Sequence, residues 1–505
     1  MVGLQEALGG IDPQRLQGMR RGLEKESLRA LPGGRVALTP HPKALGSALT
    51  HPHITTDFSE SQLELITGVH ADAQSCVDEL DAVSRFVAQN LDEEMMWVSS
   101  MPCGLPADDD IPLGQYGTSN VGRSKTVYRR GLGYRYGRRM QTISGIHYNW
   151  SLPGVSSAEY FALIRNFRRH AFLLMYLFGA SPAVCSTFVA GRNHALQPLS
   201  EHTLYLPYAT SLRMGRLGYQ SEAQASLAVS YNNLEGYGRT LEAALTQPYA
   251  AYEAIGMRSP DGTYRQLNTH LLQIENEFYG TIRPKRVIRS GERPLHALRE
   301  RGVEYVEVRL MDLDPFETVG INTRTMQFLD VFLLHCLRSP SADDTPAEIM
   351  ALGRNQHLVA ERGREPGLQL ERGDGKVTLT DWGRELVAQM VPIAQAMDAA
   401  LGTDAYGQAV SHAQRLLDHP EETPSARVLQ AITEQHAGSF VGFVRAQSRA
   451  IHAELLSRPL DAAQQEAFVR ESAESVAEQA RIEAADTMDF DRYLAQYLSH
   501  DKLVV

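Results

Sequence analysis

Cysteine is scarce in this chain: Cys76, Cys103, Cys185 and Cys336 are the four in 505 residues, scattered without the paired spacing of a zinc site. That scatter argues against a disulfide scaffold and for reduced, buried thiols. Long apolar runs are missing, so no membrane helix is expected. The first residues lack a basic start followed by an apolar core, so no signal peptide is expected either, and the expected location is the cytoplasm. Positive charge is short as well. With 49 Lys and Arg against 60 Asp and Glu, the formal net charge of -11 gives no general attraction for nucleic acid or an anionic membrane. Coiled-coil heptads and sustained internal repeats are absent. The length allows a large catalytic region, placed at residues 1–380, and a mainly helical region at 381–505 packed against it.

What the chain does have is a set of short alternating stretches with charged side chains in phase. In Val303-Glu304-Tyr305-Val306-Glu307-Val308-Arg309, a strand places Tyr305, Glu307 and Arg309 on one face and Val306 and Val308 on the other. Arg20 to Arg29 sets Glu24 and Glu26 two residues apart, so a strand aims both carboxylates the same way. Such neighbours repel unless a cation or water compensates them; Mg2+ suits the role, and a solvated charged strand also accounts for the pair. Ser61 to Thr67 alternates Gln62 and Glu64 against Leu63 and Leu65. Ile143 to Ser151 sets His147, Asn149 and Ser151 against Ile146, Tyr148 and Trp150, offering an imidazole and an amide to a cation or phosphate. Asp57, in the loop after Thr55-Thr56, can enter the same site, and an ordinary turn aspartate accounts for it equally well. These faces together read as the floor of a metal and phosphate site.

Other stretches carry weaker signals. Gln115 to Arg123 is glycine-rich and followed by basic residues, but it lacks the Gly-Lys-Ser/Thr ending of a phosphate loop. Leu271 to Tyr279 is expected as a strand with Gln273, Glu275, Glu277 and Tyr279 on one polar face, and Ile282-Arg283-Pro284-Lys285-Arg286 as a basic loop over a nucleotide, with a surface ion-pair network as the alternative. Arg213 can neutralise phosphate charge and Tyr219 can line a small pocket, and a solvated arginine and a packing tyrosine account for the same residues. Helices are expected near 73–91, 158–178, 234–255 and 381–399, and the acidic run 471–480 as a solvated helix.

The ordered combination of Arg21 to Arg29, Thr55-Thr56-Asp57-Phe58, Gln115 to Arg123, Gly145-Ile146-His147-Tyr148-Asn149, Ile282 to Arg286, Val303 to Arg309 and Asp312-Leu313-Asp314-Pro315-Phe316 resembles the gammaproteobacterial type of glutamate–cysteine ligase. The resemblance implies an α+β fold. Its antiparallel-sheet active-site cavity would be like that of glutamine synthetase, with surrounding helices and a helical C-terminal region. It also implies ATP-dependent formation of gamma-glutamylcysteine through a gamma-glutamyl phosphate, the first step of glutathione biosynthesis.

Carried over by motif, Glu24, Glu26, Asp57, Glu64, His147 and Glu307 are the expected metal ligands or their neighbours, for three magnesium ions. Arg213 and Arg309 are expected to stabilise phosphoryl transfer, with His147 beside them at the nucleotide. Tyr128, Arg129, Leu132, Tyr219 and Tyr279 fit the pocket for cysteine. The implied partners are L-glutamate, L-cysteine and ATP, with glutathione as a feedback inhibitor and a monomeric state. Trp150 departs from the family's usual phenylalanine, and its place in the alternation assigns it to the packed face. Two other functions fit parts of the pattern: a related ATP-dependent carboxylate–amine ligase using another amine, and a noncatalytic metal- or nucleotide-binding protein.

Overall fold

The computed structural model describes residues 12–218, 222–225, 227–289 and 291–504. Its centre is an antiparallel sheet built from the alternating stretches. In chain order the strands are β1 (Arg20–Ala30), β2 (Ile54–Thr56), β3 (Gln62–Ile66), β4 (Met95–Met96), β5 (Ile146–Ser151), β6 (Ala183–Cys185), β7 (Gln197–Ser200), β8 (Thr203–Tyr205), β9 (Ile282–Lys285) and β10 (Tyr305–Met311), followed by the hairpin of β11 (Gln369–Arg372) and β12 (Gly375–Thr378). The main sheet runs β2-β3-β1-β5-β10-β9, with β4 paired to the end of β1; β6, β8 and β7 form a separate small sheet. The long β1 sits near the middle because it pairs with β3 on one side and β5 on the other. The fold is therefore mixed helix and antiparallel sheet.

One face of the main sheet is apolar. Leu23, Leu63, Leu65, Tyr148, Trp150, Val306 and Val308 are all fully buried there, each side chain adding about 1.5–3 kcal/mol of burial as an upper estimate. Trp150 lies on this face as its phase requires. Helices Ala73–Gln89 and Ser157–Phe178 pack onto the strands, and helix Thr323–Arg338 packs on both helices. Their starts are encoded locally. Asp72 and Asn322 accept N-cap hydrogen bonds, and Ser156 with Glu159 forms a capping box.

A buried charged network ties this face to the C-terminal region. Arg21 donates to Asp330 at 2.8 Å and to the Tyr406 hydroxyl at 3.0 Å, and the Tyr148 hydroxyl donates to Asp330 at 2.6 Å. With Arg21 on β1, Tyr148 on β5, Asp330 on Thr323–Arg338 and Tyr406 on Ala405–Asp418, the network fixes how four elements meet.

Several expectations needed correction. Leu271 to Tyr279 is not a strand. It is irregular chain with a short 3-10 turn at Glu275–Glu277. Glu275 and Glu277 do not share an open polar face: Glu275 pairs with Arg293 at 2.7 Å and Glu277 with Arg135 at 2.8 Å, all four groups buried. Ile282 to Lys285 is the strand β9 and not a loop, since it pairs along β10. The helix expected over 234–255 is two helices, Leu234–Thr246 and Ala250–Ile255, separated at Pro248, which cannot continue the hydrogen-bonded ladder.

The long helix Ala462–Ala485 lies over the loops near Ser47 and Thr118. Ser475 Oγ accepts from the Ser47 amide at 2.9 Å and Glu483 from the Thr118 amide at 2.7 Å. The next helix, Phe490–Tyr497, seats Phe490 and Leu494 against Val127 on helix Asn120–Tyr136. Gly117 lets this strap approach. Its φ is +81°, and a Cβ there would lie 2.2 Å from both Gln479 Nε2 and Glu483 Oε1. Gly117→Ala is expected to lower stability by about 1–3 kcal/mol. Denaturant unfolding measures this, and an unchanged midpoint would mean that the strap does not hold this position. Among the described residues, no helix is long and apolar enough to cross a membrane.

Candidate active site

The strand register lines up the polar face of the sheet. Glu64 on β3 stands opposite Glu26 on β1, Glu24 on β1 opposite His147 on β5, Asn149 on β5 opposite Glu307 on β10, and Glu307 opposite Arg283 on β9. Tyr305 stands opposite Lys285 in the same phase. Acidic side chains crowd one end of the row and basic ones the other.

The basic end is paired. Glu307, almost fully buried, lies 3.0 Å from Arg309 Nη1, 3.1 Å from Lys285 Nζ and 4.0 Å from Arg283 Nη1. Burial alone raises a carboxyl, but Lys285, Arg309, His147 and Arg283 together outweigh it and hold Glu307 well below the usual range. The acidic end is not neutralised in this way. Burial, followed by Asp57, Glu24 and Glu26, pushes Glu64 well above its ordinary value, with Arg129 opposing. Burial and then Asp57 push Glu26 up as well, against His147, Arg213 and Arg309. Glu24 also pays for burial, yet its hydrogen bond with His147 leaves it below the usual value.

This arrangement fits a divalent cation. One oxygen each of Glu24 and Glu64 and one ring nitrogen of His147 lie within 4.8 Å of one another. His147 Nδ1 sits 2.9 Å from Glu24 Oε2, while its buried Nε2 has no hydrogen-bond partner and stands 3.5 Å from Glu26 Oε1. Asn149 gives its amide to Glu24 at 2.8 Å, and its buried Oδ1 is also without a partner. Oxygen donors in excess, carboxyls raised by burial and by one another, and orphaned acceptors are what a hard cation satisfies.

Two further groups reach the row from outside the strands. Asp57 follows β2, where its amide donates to the Gln62 carbonyl at 3.0 Å and closes the turn into β3. Arg213, on the short turn Leu212–Met214, is almost fully buried; its Nη2 donates to the Arg309 carbonyl at 2.9 Å, and its Nη1 is 3.9 Å from Asp312. Asp312 is held by donors from Ala180, Ser181 and Ser211. Gly145, just before β5, joins the two halves: its amide donates to Glu26 at 2.7 Å, and it has no side chain to obstruct Arg213.

Beside this floor are the aromatic residues. Tyr128, Arg129 and Leu132 come from helix Asn120–Tyr136. Burial raises the Tyr128 hydroxyl, with Glu277 and Tyr279 adding to the effect. Gln141 donates to the Tyr279 hydroxyl at 2.7 Å, and the Tyr136 ring meets Tyr279 edge-on at 5.7 Å. Leu132 packs with Phe58 and Leu113. Arg129 lies over the Tyr116 ring at 4.4 Å and donates to the Asp57 and Lys125 carbonyls. Tyr219 lies outside the described residues.

The sequence profile of the family described as glutamate-cysteine ligase matches residues 11–359. Named glutamate–cysteine ligases from Alcanivorax borkumensis and Pseudomonas entomophila are 47% and 48% identical, covering 96% and 97% of this chain and 96% of each relative. The chain belongs to the glutamate–cysteine ligase family. A crystal structure of the glutamate–cysteine ligase of Francisella tularensis, in complex with AMP, superposes with a TM-score of 0.91 at 38% identity, over 96% of this chain and 98% of that one. A bifunctional glutathione synthetase from Pasteurella multocida matches with a TM-score of 0.68 at 27% identity, over 90% of this chain and 55% of that one.

Within this glutamate–cysteine ligase fold, the sheet gathers Glu24, Glu26, Glu64, His147, Glu307 and Arg309, and loops add Asp57 and Arg213. Sequence reasoning did not assign Arg283 and Lys285 to the floor, although their two-residue spacing carried the signal. Gly145 and Gln141 gave no such signal, because their importance lies in what they touch across the fold.

Proposed function

We propose that this protein joins the gamma carboxylate of L-glutamate to the amino group of L-cysteine at the expense of ATP, giving gamma-glutamylcysteine, ADP and phosphate. A gamma-carboxylate oxygen of glutamate attacks the terminal phosphorus of ATP, and the bond from that phosphorus to the ADP oxygen breaks. The cysteine nitrogen then adds to the activated carbonyl carbon. Phosphate leaves with the electron pair of the carbon–oxygen bond, and the nitrogen loses a proton.

Glu24, Glu26, Asp57, Glu64, His147 and Glu307 are the residues that would hold magnesium, assigned as three ions. When bound, magnesium supplies charge neutralisation along the phosphates and polarises the transferred group. Arg213 and Arg309 hold fixed positive charge where the equatorial phosphoryl oxygens gain negative charge, and neither has to move a proton. Glu307 orients Arg309 through their 3.0 Å contact. Tyr128, Leu132, Tyr219 and Tyr279 form the walls for cysteine, and a substrate carboxylate competes with backbone carbonyls for the Arg129 guanidinium.

The observation that carries this reading is the graded row on one sheet face, with the raised carboxyls of Glu26 and Glu64 at one end and Arg283, Lys285 and Arg309 at the other. It lies in a chain that shares its fold over nearly full length with an AMP-bound glutamate–cysteine ligase. The reading extends to first-step glutathione synthesis in the cytoplasm by a monomer inhibited by glutathione, with residues 1–380 as the catalytic region and 381–505 as a helical region. The test is parallel measurement of gamma-glutamylcysteine and phosphate with ATP, magnesium, glutamate and cysteine, omitting each in turn. Equal yields that require every component are expected. Coupled turnover with another amine but not with cysteine would assign the same machinery to a different carboxylate–amine ligase, and ligand binding by folded protein without turnover would overturn the proposal.

A further inference from the structure

A second cluster of donor atoms lies on the far side of the sheet, among the helices that cover its apolar face. His170 is on helix Ser157–Phe178, and His335 and Cys336 are on helix Thr323–Arg338; one ligand atom from each lies within 4.8 Å of the other two. The imidazole rings are 5.7 Å apart between centroids, and the Trp382 ring of helix Leu379–Leu401 meets His170 edge-on at 6.2 Å. Three helices therefore close around two imidazoles and a thiol.

The hydrogen bonding around this cluster is incomplete. His335 is 2% exposed, and its Nε2 faces Gln389 Oε1 at 3.0 Å. The Gln389 amide nitrogen faces Glu385 at 3.5 Å, which turns the acceptor end of the amide toward the ring. An acceptor there places the His335 proton on Nε2 and leaves a lone pair on Nδ1. That Nδ1 is buried and has no partner, and neither does the buried Nδ1 of His170. A buried imidazole nitrogen without a partner costs free energy. A ring fixed through its outer nitrogen so that its inner one is bare is the arrangement that supports a metal-bound histidine.

We propose that His170, His335 and Cys336 form a buried binding site for one copper(I) ion. A thiol is a soft donor and imidazole a borderline one, and no carboxylate oxygen among the described residues joins them, which argues against magnesium or calcium. Charge decides between the remaining soft cations. Copper(I) with one thiolate and two neutral imidazoles has no net charge, whereas zinc(II) with the same three ligands adds a positive charge to a site bordered by Arg169, Arg338 and Arg372, with Glu385 opposing them. Burial already keeps the rings neutral, with His170 pushed down to about 3 and His335 also lowered. Burial keeps the Cys336 thiol protonated, so binding breaks its S–H bond, forms the copper–sulfur bond and releases one proton to solvent. His170 is only partly buried, and Gln389, which holds the outer nitrogen of His335, is exposed on helix Leu379–Leu401.

The full-length reduced protein, titrated anaerobically with copper(I) against a chromophoric copper(I) chelator, is expected to retain one equivalent and to develop a near-ultraviolet thiolate-to-copper band. X-ray absorption of that species is expected to show one sulfur and two nitrogen neighbours. Cys336→Ala and His335→Phe are expected to abolish retention. Cys103→Ala combined with Cys185→Ala, which removes two other buried thiols, is expected to preserve it. Zinc(II) is expected to be surrendered to a chelator. Failure to retain copper(I), a sulfur-only or sulfur-free coordination shell, or loss with the Cys103 and Cys185 pair would overturn the site. The X-ray absorption reading on the parent protein decides the matter even if a variant fails to fold. Ligase turnover is expected to be unchanged by Cys336→Ala, because the cluster is separated from the polar face of the sheet.

Discussion

Glu64→Gln is expected to lower kcat by roughly 10²-fold or more, the scale for losing one preorganised electrostatic group at a reacting centre, while leaving the metal-free protein more stable at pH 8. Burial and the neighbouring carboxylates Asp57, Glu24 and Glu26 raise the folded-state carboxyl of Glu64 well above its ordinary value. A raised folded value means that the protonated form favours folding. Stability from this group is full below the ordinary carboxylate range and is lost as pH rises through the folded value. Glutamine keeps the shape and removes the charge, so its advantage is expected at pH 8 and not at pH 4. Magnesium is expected to reverse the order, because the parent gains more from binding. Thermal unfolding with and without magnesium at both pH values, alongside kcat, measures all three effects. A variant less stable than the parent without metal, or one with full turnover, would contradict the assignment of Glu64.

Gly145→Ala is the second substitution with a large expected effect. Its new Cβ would lie 2.1 Å from Arg213 Nη2 and 2.5 Å from Cζ. The atoms in the way are the far end of a flexible side chain, so the backbone can stay while the guanidinium moves. The cost then falls on catalysis. A loss in kcat of roughly 10²–10³-fold is expected, similar to that of Arg213→Ala. The double variant is expected to be no worse than Arg213→Ala alone, because both changes remove the same contact. Independent, additive losses would show that Gly145 acts through something other than Arg213.

These two residues mark where the sequence is legible and where it is not. Glu24, Glu26, Glu64, His147, Glu307 and Arg309 announce their common face through two-residue alternation. An antiparallel sheet with one covered face turns that phase directly into position. The strand pairing that sets Glu26 opposite Glu64 is not local information, yet one-sided burial leaves few other registers open. Leu271 to Tyr279 shows the failure of the same reasoning. Its alternation was genuine, but Glu275 and Glu277 bind Arg293 and Arg135 from distant segments, and those buried pairs hold an irregular chain. Ile282 to Lys285 failed in the opposite direction, because its charges suggested a loop while Arg283 was in phase with Glu307 across the sheet. Gly145 carries no pattern at all. Its role exists only because Arg213 arrives from 68 positions further along the chain.

The measurement that bears most directly on the account is isotope transfer from glutamate labelled with ¹⁸O in its gamma carboxylate. Turnover with ATP and cysteine is expected to place one labelled oxygen in each phosphate released, because the oxygen that attacks phosphorus leaves with it when the amine displaces the phosphate. Gamma-glutamylcysteine formed together with unlabelled phosphate would contradict activation of the carboxylate by phosphoryl transfer, and with it the roles given to Arg213, Arg309 and the carboxylate row.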